Sequence, residues 1–144
     1  NYGVPQQSHW MLYALEQLHK LRPHPVSRSH ARVIAEDILS KPEYRAHQRS
    51  TPIACRSEGL LAFVRLCEAL SSESADRPVF DQAAARSRTA IHENLELQLG
   101  YRRPNGSFVH GRGNSEVRID YIQHNNSSFL GYARLAGRRR LSID

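Results

Sequence analysis

Leu95-Glu96-Leu97-Gln98-Leu99-Gly100-Tyr101-Arg102-Arg103-Pro104-Asn105-Gly106-Ser107-Phe108 is the stretch on which the reading of the fold turns. An apolar stripe of Phe80, Ala83, Ala84, Ile91, Leu95 and Leu99 leads up to it from Pro78 at helical spacing. It stops at Gly100, a residue suited to closing a helix. Pro104-Asn105-Gly106 marks a turn, and Gly111 and Gly113 keep the polar segment 101–114 irregular. A new stripe of Val117, Tyr121, Phe129, Tyr132 and Leu135 begins at Ser115. Two one-faced helices joined by a polar loop make a helical hairpin.

The same logic extends towards the start of the chain. Over residues 7–21, Trp10, Tyr13, Ala14, Gln17, Leu18 and Leu21 recur at steps of three and four, so Trp10 and Tyr13 are expected in the core. Pro23 and Pro25 end that helix. A second helix over 29–40 carries Ala31, Ile34, Ala35, Ile38 and Leu39, with Ser27 or Ser29 as its cap. A third over 51–70 opens on Thr51-Pro52, a capping hydroxyl followed by proline at the first helical position. Gly59 inside it costs about 1 kcal/mol against alanine and marks close approach by another helix or a ligand. No strand pattern is legible. The expected fold is all-α, antiparallel helical hairpins, with residues 1–144 as a single helical domain.

Composition narrows the classes. A hydrophobic fraction of 40% with 24% charged residues describes a folded soluble chain rather than a disordered one. No apolar window reaches the ~18 residues of a membrane span. There is no charged-then-apolar leader at the start, yet the first residue is Asn1 rather than Met, which leaves processing, excerpting and compartment open. The net charge of +6 favours an anionic partner: polysaccharide, nucleic acid or an anionic surface. The dense basic runs are Arg102-Arg103 and Arg138-Arg139-Arg140. Cys55 and Cys67 lie in one expected helix, roughly 18 Å apart at 1.5 Å per residue, so both read as free, buried thiols.

The stretch from Arg88 to Tyr132 resembles one repeat of the α/α-toroid proteins, which include helical-barrel glycoside hydrolases, polysaccharide lyases, sugar epimerases and terpenoid cyclases. Leu95, Gln98, Gly106 and Phe108 follow the order of that repeat, and Asn105-Gly106-Ser107-Phe108 looks like its turn. The spacing from Gln98 to Gly106 is longer than usual. A Gln at a helix end can bond loose backbone groups, and a turn aromatic packs between neighbouring helices. The resemblance implies alternating inner and outer helices and a substrate cleft at one end of the inner ones. A closed toroid needs several more hairpins than this chain holds. The implied state is an arc of a larger helical barrel, completed by more chain or by self-association.

The chemistry concentrates in Glu116-Val117-Arg118-Ile119-Asp120-Tyr121-Ile122-Gln123-His124-Asn125-Asn126. On a helix from Ser115, Glu116, Asp120 and His124 fall on one face, where Asp120 can orient the His124 imidazole. Two neighbouring carboxylates repel, and one of them can then act as a general acid. Arg56-Ser57-Glu58-Gly59, early in the third helix, is the second cluster. If both helices are inner, the resemblance implies one shared site. Asp120, His124 and Glu58 are the expected catalytic groups; Arg56, Arg118, Tyr121, Gln123 and Glu116 are the expected substrate contacts. No metal site or cofactor is expected, because Glu116, Asp120 and His124 would need ligands from elsewhere. The expected function is acid–base chemistry on an anionic polysaccharide. The alternative is a non-catalytic basic module for nucleic acid or a protein partner.

Overall fold

A computed structural model describes residues 4–71 and 74–141, with side chains over 9–71 and 74–137. The chain is all-α apart from one small hairpin. Its helices are α1 (Val4–Leu21), α2 (Pro25–Ser40), α3 (Ser50–Glu68), α4 (Arg77–Leu99) and α5 (Ile119–Leu141), with a single 3-10 turn over Pro42–Arg45. Before α5, strands β1 (Val109–Gly111) and β2 (Asn114–Val117) pair antiparallel. No helix among the described residues is long and apolar enough to cross a membrane.

The helices alternate between two layers. The central helix α3 packs on α1 and on α5 in one layer, while α2 and α4 touch each other in the second. Direction follows from the contacts. His9 meets Gly59 and Glu16 meets Arg65, so α1 and α3 run parallel. Glu58 meets His124 and Leu61 meets Gly131, so α5 runs the same way. Ser57 meets Gln98 and Glu68 meets Arg88, so α4 runs opposite. The starts of α1, α3 and α5 therefore share one end of the molecule.

The reason α3 is central is its composition. Ile53, Leu60, Leu61, Phe63, Val64 and Leu66 are all buried, so apolar surface is covered right round the helix. Gly59 is the point of closest approach to α1: a Cβ there would lie 3.1 Å from the His9 Cα. The close approach expected of this glycine is met by a helix.

Three expectations need correction. Strands do form, because Gly113 at φ +77° reverses the chain and the polar run 114–117 pairs back on 109–111. Consequently α5 starts at Ile119 rather than Ser115, and Glu116 lies on a strand. The α1 stripe is turned outward: Trp10 is 59% exposed and Leu21 86%, while Leu12, Leu15, His9, Glu16 and His19 are buried. Glu16 fixes that face inward through its hydrogen bonds with Arg65. The start of α2 is capped by the His24 imidazole rather than by a serine.

The turn aromatic behaves as expected. Phe108 is buried and stacks on Phe129 with ring centroids 6.1 Å apart. Among the described residues, the Gln98 side chain bonds other side chains rather than backbone. Its amide donates to Ser57 Oγ at 3.2 Å and accepts from Ser128 Oγ at 2.6 Å, tying α4 to both α3 and α5.

Candidate functional site

At the shared end, four side chains from three helices converge. Cys55 and Glu58 stand three residues apart on α3 and so share a face. His9 comes from α1 and His124 from the second turn of α5. One potential ligand atom from each lies within 4.8 Å of every other. His9, Cys55 and Glu58 are buried, and the His124 side chain keeps 14% of its surface exposed.

His124 Nδ1 lies 2.9 Å from Glu58 Oε2. Its ring meets the His9 ring edge to face at 5.6 Å between centroids. Hydrogen bonding to Cys55 and Glu58 outweighs burial and pushes the His124 imidazole up to about 10. Burial pushes His9 down, against the pull of Glu58. Two imidazoles side by side are thus shifted in opposite directions, His124 up and His9 down. Tyr13 continues the strip: burial, with Glu58 adding to it, raises its hydroxyl well above the ordinary range.

Of the residues expected from the sequence, Glu58 and His124 are brought together. The Asp120 carboxylate pairs with Arg118 Nε at 3.1 Å. The partner that holds the imidazole is Glu58, 66 residues away in sequence. Glu116 is exposed and accepts from the Tyr121 hydroxyl at 3.2 Å. Tyr121 is buried, sits 2.7 Å from His110 Nδ1 and carries the Arg118 guanidinium over its ring. Gln123 is exposed on α5. Arg56 lies over the Tyr44 ring, 5.5 Å from its centroid. The expected helical face therefore loses Glu116, which lies on β2, while Asp120 and His124 stay four residues apart on α5.

His9 and Cys55 were not legible as site residues. Each is a single residue on an otherwise ordinary helix, and only the packing of α1 on α3 relates them. The one available hint was Gly59, which marks where that packing is tightest.

An open groove of about 850 Å³ lies at the same end of the molecule, between the start of α3 and the hairpin before α5. Arg45, Arg103 and Arg112 line it together with Tyr101. Arg45 also bonds Asn94 and Glu93, and Arg103 donates to the Ser115 carbonyl, so these two cations are held in place. The side chains of Arg138, Arg139 and Arg140 fall outside the described residues. No protein-family model, curated protein or solved structure matches this chain.

Proposed function

We propose that this chain is an arc of a helical-barrel, carbohydrate-active enzyme that acts on an anionic polysaccharide, and that Glu58 and His124 carry its proton transfers. The observation that supports the reading best is the Glu58–His124 hydrogen bond, at the end where α1, α3 and α5 begin. A buried carboxylate fixes the ring orientation, and the ring keeps an edge towards solvent. The two-layer alternation of helices agrees with an arc. In the groove, Arg103 and Arg112 supply guanidinium groups that match sugar carboxylates, Arg45 being engaged by Asn94, Glu93 and the Ala90 carbonyl. Arg118 and Gln123, exposed on the approach to His124, are the substrate contacts in this reading; Asp120 serves to hold Arg118.

The test is a panel of uronate-containing polysaccharides offered to the whole protein that carries this chain. Glu58→Gln and His124→Asn should each lower turnover by about 10²-fold or more while circular dichroism is unchanged. Asp120→Asn should change it by less than about tenfold. Equal losses from all three variants would sink the assignment of the pair. Salt-steep binding to DNA or RNA that ignores Glu58→Gln would support the basic binding module instead.

A further inference from the structure

We propose that His9, Cys55, Glu58 and His124 form a binding site for one divalent transition-metal ion of the zinc class. The donor set is two imidazole nitrogens, a thiol sulfur and a carboxylate oxygen. Zinc accepts all three types, usually four at a time in a tetrahedron. Zinc–ligand bonds of about 2.0–2.3 Å place neighbouring donors roughly 3.4–3.7 Å apart. The four donors here already lie within 4.8 Å of one another, so small side-chain rotations close the shell.

A second, independent observation points the same way. His9 is more than nine-tenths buried, and its Nε2 has no hydrogen-bond partner among the described residues. Buried nitrogens are rarely left so, because the desolvation is not repaid. A metal ion supplies the missing partner.

Charge and softness choose the ion. A Cys55 thiolate and a Glu58 carboxylate together balance a dication, leaving a buried site with no net charge. Thiolate with two imidazoles selects zinc, cobalt or copper over magnesium and calcium, which prefer all-oxygen shells. His124, the most exposed of the four, gives the route in. Ligand spacing hid the site: Cys55-Arg56-Ser57-Glu58 is no zinc signature, and the histidines come from two other helices.

The inference competes with the proton-transfer reading for Glu58 and His124, since an ion held by them takes the place of the proton they would pass. It is therefore tested without any substrate. Cobalt(II) added to the whole, chelator-treated protein should bind at one equivalent, with intense visible absorption of tetrahedral geometry and a thiolate-to-cobalt charge-transfer band. Zinc should displace it. Cys55→Ser should remove the charge-transfer band and weaken zinc binding at least tenfold, and His9→Asn should weaken it comparably. Cys67→Ser, a buried thiol elsewhere on α3, should leave both unchanged. Weak octahedral absorption in the wild-type protein, or a charge-transfer band that survives Cys55→Ser, overturns the site.

Discussion

Glu16 shows how one residue decides which face of a helix goes inside. Its carboxylate is 1% exposed and takes two hydrogen bonds from Arg65, at 2.8 and 2.7 Å, and one from Lys20 at 2.7 Å. Burial alone would raise its pKa, but the hydrogen bonds from Arg65 and Lys20 prevail and hold the carboxyl below the usual range. A folded value below the unfolded one stabilises the fold above the unfolded pKa, and that contribution fades as pH falls towards the folded value. Glu16→Gln should therefore cost about 3 kcal/mol near neutral pH by leaving Arg65 half-buried and unpaired. The difference from wild type should shrink on acidification below the ordinary glutamate range, as read by urea unfolding at several pH values. A constant difference across pH would contradict the account.

The same residue explains what could be read in advance and what could not. Hydropathy places Trp10, Leu18 and Leu21 inside and Glu16 outside, and it is wrong on both counts because it does not see Arg65, 49 residues on. Glu58 and His124 were recognisable as chemical residues from their local surroundings. Their pairing was not, since local spacing offers His124 only Asp120 as a partner, four residues back. Cys55 was legible as a buried thiol and nothing more.

At the scale of elements, the small hairpin clamps the start of α3. Ser50 Oγ donates to the Val109 carbonyl at 2.6 Å, and Arg112 N donates to the Gln48 carbonyl at 3.1 Å. Gly111 is what lets the two segments touch, because a Cβ there would stand 2.1 Å from the Gln48 oxygen. That obstacle is backbone and cannot rotate away. Gly111→Ala should destabilise by about 3 kcal/mol, at the upper end of overpacking costs, and lower Tm accordingly. A Tm within a degree or so of wild type would show that the hairpin does not bear on α3. The helix ends at Leu99 and near Leu21 and Ser40 were legible from Gly100 and the prolines. The hairpin was not, because residues 109–117 show no apolar alternation and owe their pairing to the turn at Gly113.

For the molecule as a whole, the outward stripe of α1 matters most. Trp10, Leu18 and Leu21 lie open on an edge helix of the α1–α3–α5 layer. In the proposed arc this is where a neighbouring hairpin or a second copy packs. Trp10 is the only tryptophan, so its fluorescence reports that face alone. Association at rising concentration should shift its emission to the blue, and a Trp10-bearing Leu18→Ser/Leu21→Ser variant should abolish both the shift and the larger particle in solution scattering. A monomer at all concentrations, with fixed emission, would count against the arc.

The burial of α3 on every side has a consequence for the rhythm of opening. An edge helix can fray while its neighbours stay put, but α3 touches α1, α2, α4 and α5 and cannot be released until they separate. The amide protons of Leu60 to Val64 should therefore exchange with solvent deuterium only through global unfolding, at one common protection free energy, whereas those of α1 exchange sooner through local excursions. Because Cys55 and Glu58 ride on α3 and His9 on an edge helix, the first two should hold their places as long as the fold does, and His9 should follow the earlier openings of α1.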